Sequence, residues 1–205
     1  MNPFFTSLIA CSMFFMSPSS TLPEIQPGDS APMADKPMLD VVSKSKFSLN
    51  DLVGDNGLVV IFTSNTCPYV IAWEESYPEI SAEAKRLNMG AVLINSNEAF
   101  RGDQDTPESM RLKAEEGNYN MPYLIDVKHK LADAFGAKTT PHVFLFDGEM
   151  TLVYKGAIDD RYDGGKKENP EAHWLSDAMK SMAQGERIEN STTRQIGCSI
   201  KRIKK

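Results

Sequence analysis

A cysteine followed by a proline closes an apolar run in Val59-Val60-Ile61-Phe62-Thr63-Ser64-Asn65-Thr66-Cys67-Pro68-Tyr69-Val70. A run of this kind reads as a strand buried on both faces, and proline suits the first position of a helix. The spacing therefore places the Cys67 thiol at a strand-to-helix junction. There the free N–H groups of Tyr69 and Val70 are expected to turn toward the sulfur and favour the nucleophilic thiolate. Attack on a disulfide gives a mixed disulfide, and attack on a peroxide gives a sulfenic acid. Either product needs a second thiol. Val70 occupies the place where a second cysteine would complete Cys-x-x-Cys. The chain has two other cysteines, Cys11 and Cys198, and Cys198, 131 positions downstream, is the in-chain candidate.

Other side chains near these motifs carry weaker signals. Asn65 and Thr66 flank the thiol and have groups that can hydrogen-bond a substrate. Arg101, Arg111 and Arg161 are candidates for stabilising a thiolate, and nothing in the sequence chooses among them. His142 reads as a solvated edge residue. The three histidines, His129, His142 and His173, are dispersed, so no metal site is expected. No glycine-rich phosphate loop is present, so no cofactor is implied. With 22 basic and 28 acidic residues the formal net charge is −6, which argues against a nucleic-acid surface.

The elements that must hold Cys67 follow from periodicity. Residues 38–52 read as a short hairpin, 58–63 as a buried strand, and 91–95 as the next one. Between those strands Val70, Trp73, Tyr77, Ile80, Ala84 and Leu87 recur at helical spacing, with a kink expected at Pro78. Thr106-Pro107-Glu108 starts a second helix, 123–126 is a strand, and 131–135 a short helix closed by Gly136. Thr139 to Phe146 and then 152–154 read as a hairpin around Asp147-Gly148. Asn169-Pro170-Glu171 is expected to cap a last helix ending at Gly185. The boundaries that result are an apolar leader at 1–20, a linker at 21–36, a domain at 37–185, and a tail without clear period at 186–205. The 205 residues, 41% hydrophobic and 24% charged, suffice for one domain with its own core.

This order of elements resembles the thioredoxin-like superfamily, in its redoxin branch related to AhpC/TSA proteins. Two motifs carry the resemblance: the strand leading to Cys67, and Thr140-Pro141 before Val143 to Phe146. The tail Gly197-Cys198-Ser199-Ile200-Lys201 is similar to that of an uncharacterised bacterial group of redoxins. The resemblance implies an α/β fold with a central mixed β-sheet flanked by helices and an N-terminal β-hairpin. It implies a cis bond before Pro141, which lies against the active cysteine. It implies Thr66, Pro68, Thr140 and Pro141 as substrate-binding positions, with the Thr140 backbone free to pair with an extended substrate peptide. It also implies Cys67 as nucleophile and Cys198 as the candidate resolving thiol, the alternative for Cys198 being a structural or free thiol. Two departures stand out. Thr66 replaces the tryptophan that precedes a thioredoxin's active cysteine. Val60 and Ser64 stand where a peroxiredoxin has its Pro and Thr.

The expected function is a thiol-dependent oxidoreductase acting on a protein disulfide or a hydroperoxide, reduced in turn by a thioredoxin-type protein. The alternatives are a thioredoxin fold without catalysis that serves as a binding module, and a peroxidase resolved by Cys198. The leader points to export, to the periplasm or as a lipoprotein with a lipid anchor at Cys11 in Leu8-Ile9-Ala10-Cys11, with a cytoplasmic location as the alternative.

Overall fold

The computed structural model describes residues 23–203. The leader, with Cys11, lies outside the described residues. Strand β3 (Gly57–Thr63) is the centre of the molecule, and every residue in it is buried. Its side chains alternate between two cores. Val59 and Ile61 join one, while Leu58, Val60 and Phe62 join the other. A strand that feeds two cores must be apolar at every position, which is why the run lacks the alternation of a one-sided strand.

Around it, β1 (Met38–Asp40), β2 (Lys46–Phe47), β4 (Met89–Asn95), β5 (Tyr123–Ile125), β7 (His142–Phe146) and β8 (Leu152–Gly156) complete a seven-stranded sheet in the order β2-β1-β5-β4-β3-β7-β8. Strands β3, β4 and β5 are parallel, and β7 runs antiparallel to β3 with Ile61 opposite Val143. The expected α/β fold with a mixed sheet is the one observed. Two further short strands, β6 (Thr139–Thr140) and β9 (Cys198–Ser199), pair only with each other. The hairpin expected over 139–154 is therefore divided: Pro141 separates β6 from β7, and only β7 and β8 form the hairpin.

Among the described residues five α-helices cover the sheet: α1 (Pro68–Trp73), α2 (Tyr77–Arg86), α3 (Pro107–Glu116), α4 (Lys130–Phe135) and α5 (Trp174–Ala183). Trp73, Tyr77, Met110, Leu175 and Met179 fill the first core. In the second, Phe62, Phe135 and Phe144 meet edge to face at 5.1–5.7 Å between ring centres. Such pairs add about 1 kcal/mol each beyond the area they bury.

Two helix boundaries differ from expectation. The break expected at Pro78 lies upstream, as a 3-10 turn at Glu74–Ser76, and Pro78 sits in the first turn of α2. Ser76 Oγ donates to the Trp73 carbonyl (2.5 Å), and the Trp73 indole N–H reaches Asp159 (2.7 Å). These bonds end α1 before the proline. Helix α5 starts at Trp174, after His173, because Asp160 accepts the Glu171 N–H (2.9 Å) and holds residues 169–172 in a loop.

Candidate active site

The carboxyl ends of β3, β4 and β5 converge on one polar crevice, where open α/β sheets place their chemistry. Cys67 stands at its edge as the residue preceding α1, 4% exposed. Its thiol donates a hydrogen bond to the Thr140 carbonyl at 3.0 Å, and its own N–H donates to Ser64 Oγ at 3.3 Å. Ser64 Oγ also lies 3.5 Å from Thr140 Oγ1. The Thr140–Pro141 bond is cis. Cys67 and the cis-proline loop, separated by more than seventy positions in sequence, thus share one contact.

The sulfur of Cys67 caps no backbone N–H of α1, against expectation. Cys198 shares a cleft with Cys67 and packs against the core that holds it. Burial and the neighbouring Cys67 push the Cys198 thiol up, to about 11. Both cysteines are free thiols. The tail that delivers Cys198 has no helical or strand period of its own, yet it is tied down along its length. Ser191 and Thr193 bond to the backbone of Lys155 on β8 (3.1 and 3.0 Å). Cys198 then pairs opposite Thr140, and Ser199 opposite Thr139. Gly197 permits this approach, since a Cβ there would run into the Thr140 carbonyl. Ile200 is buried in the second core, and Arg202 bonds to Asp133 (2.8 Å) and to the Ala137 carbonyl (2.6 Å). The edge of Thr140 expected to pair with a substrate peptide is filled by the chain's own tail.

Behind the thiol lies a buried network that local sequence pattern does not reveal. The Asp105 carboxylate is fully buried and accepts from the Asn65 N–H (2.8 Å), Asn95 Nδ2 (2.8 Å) and Asn97 Nδ2 (2.9 Å). Asn97 Oδ1 in turn accepts the Lys201 N–H (2.8 Å). One carboxylate therefore holds both the turn before Cys67 and, through Asn97, the tail that brings Cys198. The only available signal was the cluster of Asn and Asp between two apolar runs, and it reads equally well as a solvated loop.

The three arginines considered as thiolate partners are engaged elsewhere. Arg101 donates to the Asn95 and Asp105 carbonyls (2.8 Å each). Arg111 lies between Glu108 and Glu115 on the surface of α3, and Arg161 reaches the Ala72 carbonyl and Asp159. Thr66 and Pro68 are exposed at the rim, with the Thr66 hydroxyl on Gln104 Oε1 (3.0 Å). His142, the first residue of β7, is fully buried rather than solvated, with the segment around Glu24 packed over it, and neither ring nitrogen has a hydrogen-bond partner. Among the described residues no group of His, Cys, Asp and Glu is placed to hold a metal ion, and no helix is long and apolar enough to cross a membrane.

The AhpC/TSA family model matches residues 27–155. Among solved structures, an uncharacterized conserved protein from Geobacillus kaustophilus is 29% identical at a TM-score of 0.78, over 91% of this chain and 95% of that one. A hypothetical protein from Sinorhizobium meliloti is 30% identical at a TM-score of 0.80, over 89% and 98%. A peroxidoxin from Mycobacterium tuberculosis shares the fold at 16% identity and a TM-score of 0.58, over 80% and 99%. No curated protein is matched.

Proposed function

This chain belongs to the AhpC/TSA family, and within it we propose a thiol–disulfide redox protein in which Cys67 is the nucleophile and Cys198 the resolving thiol. The observation that carries the reading is the strand pairing of Cys198 opposite Thr140, whose carbonyl the Cys67 thiol contacts, so that both cysteines line one cleft. The Cys67 thiolate attacks one sulfur of a disulfide, forming a mixed disulfide and releasing the other sulfur as a thiolate that takes up a proton. The Cys198 thiolate then attacks Cys67 Sγ, closing an intramolecular disulfide and releasing the second half as a thiol. Two protein thiols are oxidised and one disulfide is reduced to two thiols. A thiol reductant reverses the process by the same exchange.

A non-catalytic binding module needs no second thiol, and the pairing of Cys198 beside Cys67 weighs against it. Reduced protein treated with oxidised glutathione and, separately, with hydrogen peroxide, followed by mass spectrometry of the cysteines, tests the reading. The expected product is a Cys67–Cys198 disulfide, with a mixed glutathione disulfide trapped at Cys67 in Cys198→Ser. If Cys67 reacts no faster than a free model thiol near neutral pH, the catalytic reading fails. Closure by peroxide alone transfers the site to the peroxidase alternative.

A further inference from the structure

We propose that the tail strand closes this site to protein disulfides and that the oxidant reaching Cys67 is a small anionic disulfide; the inference rests on the dithiol reading above. The backbone edge of Thr140, where an extended peptide carrying a target disulfide would align, is already paired with Cys198. The tail is fastened on both sides of that pairing. Upstream it is bonded to Lys155 of β8, and downstream it is held by buried Ile200, by Lys201 on Asn97, and by Arg202 on Asp133. An incoming polypeptide must displace this strap before it can add a strand at Thr140.

What stays open is a cleft of about 220 Å³ that contains both Cys67 and Cys198. This volume falls below the usual range of about 300–1,000 Å³ for drug-sized ligands, and it suits a small molecule or one end of a larger flexible one. Thr66, Asn97, Gln104 and Ser199 give the cleft neutral hydrogen-bonding groups, Phe100 gives an apolar wall, and Lys201 is the one charged residue among those that line it. A carboxylate on the oxidant is therefore drawn to the same end of the cleft as the resolving thiol. An ammonium group there meets a like charge. The exchange begins as described above: Cys67 takes one half of the small disulfide and the other half leaves as a thiol.

The test measures trapping of mixed disulfides at Cys67 in the full chain carrying Cys198→Ser, which retains the tail but stops resolution. The probes are oxidised glutathione, cystamine and insulin. Glutathione disulfide is expected to react several-fold faster than cystamine at low ionic strength. The ratio should shrink with added salt and reverse when Lys201→Glu is introduced. Insulin is expected to react slowly until Ile200→Asp detaches the tail, and then at least tenfold faster. Because Ile200 is a core residue and its replacement endangers folding, Gly197→Ala serves as the second variant: it pushes the strand off the Thr140 carbonyl and leaves the anchors in place. Equal rates for glutathione disulfide and cystamine overturn the charge selection, and an insulin rate unchanged in Gly197→Ala overturns the closure. Both results leave the dithiol reading standing. Failure of Cys67 to trap either small disulfide removes that reading first and this inference with it.

Discussion

Two side chains decide how Cys67 is presented, and neither is adjacent to it in sequence. Asp105 receives three buried donors, and removing its carboxylate leaves the Asn65 N–H and the Asn97 amide without an acceptor and Asn95 Nδ2 with only the Tyr123 hydroxyl. An unsatisfied buried donor costs about 1–3 kcal/mol, and hydrogen bonds to charged groups lie at the upper end. Asp105→Ala is therefore expected to lower unfolding stability by about 3 kcal/mol and to slow disulfide exchange at Cys67 roughly tenfold as the turn loosens. The exposed neighbour Asp103→Ala is expected to change neither. Urea melts and trapping rates on the two variants check this. Cys198 is the second deciding residue. Since its thiol is pushed up to about 11 by burial and by Cys67, its thiolate fraction in the reduced protein is small at neutral pH. Alkylation of Cys198 by iodoacetamide should rise about tenfold per pH unit between pH 7 and 10. In Cys67→Ser, where one cause of the shift is gone, it should be faster at pH 8. Mass-spectrometric labelling rates read both effects.

At the level of elements, the segment before β1 packs across the sheet and carries a charge cluster that titrates with it. Ile25, Gly28 and Ala31 donate backbone hydrogen bonds to Phe135, Leu152 and Met150. Glu24 receives Lys155 (2.8 Å), approaches Lys138 (3.4 Å) and faces His142 Nε2 at 3.7 Å. Burial opposes the charge of Glu24, but the Lys155 hydrogen bond and the nearby cations outweigh it and hold its carboxyl below the usual range. Burial dominates for His142 and pulls it from 6.5 down to about 4. The unfolded chain therefore binds a proton in that interval that the folded chain refuses. Stability is full above pH 6.5 and falls as the pH drops toward 4, by on the order of 3 kcal/mol for this group. His142→Leu is expected to flatten that part of the pH–stability curve measured in urea, with little cost at pH 7 because neither ring nitrogen makes a hydrogen bond there. The sequence made some of this architecture readable and concealed the rest, for a physical reason. Residues 58–63 announce a two-sided strand because both cores demand apolar side chains, and Cys67-Pro68 announces a helix start because proline fits there. The tail announces nothing, because a two-residue strand has no period and its partner Thr140 lies far away in sequence. Local pattern reads His142 as an edge residue for a related reason: its burial comes from the packed segment around Glu24, which lies far away in sequence. The break falls before Pro78 rather than at it because it answers to the Trp73–Asp159 bond across the fold.

For the whole molecule, the pairing of β6 with β9 makes the oxidation state a stability variable. Cys67 and Cys198 are 131 positions apart, so a disulfide between them would enclose β4, β5, β7 and β8, four of the seven strands of the main sheet, in one covalent loop. In the chain-entropy account a loop of that length removes about 5 kcal/mol of freedom from the unfolded ensemble, less whatever strain closure imposes on the fold. The folded state loses little in return, since the tail is already held by Ile200, Arg202 and the Asn97–Lys201 bond before any covalent bond forms. The oxidised protein is therefore expected to unfold at a higher urea concentration than the reduced one, with a gain of about 3–5 kcal/mol and a smaller m-value because the cross-linked unfolded chain exposes less surface. Cys198→Ser and Cys67→Ser should each lose the difference between oxidising and reducing conditions. Gly197→Ala should retain a smaller one, because its strand must first be drawn back to Thr140. Paired denaturation curves with and without reductant decide the matter. If oxidised and reduced wild type melt together although mass spectrometry shows the Cys67–Cys198 bond, closure strains the native fold by as much as it restricts the unfolded one, and the pre-positioning of Cys198 by its strand is refuted.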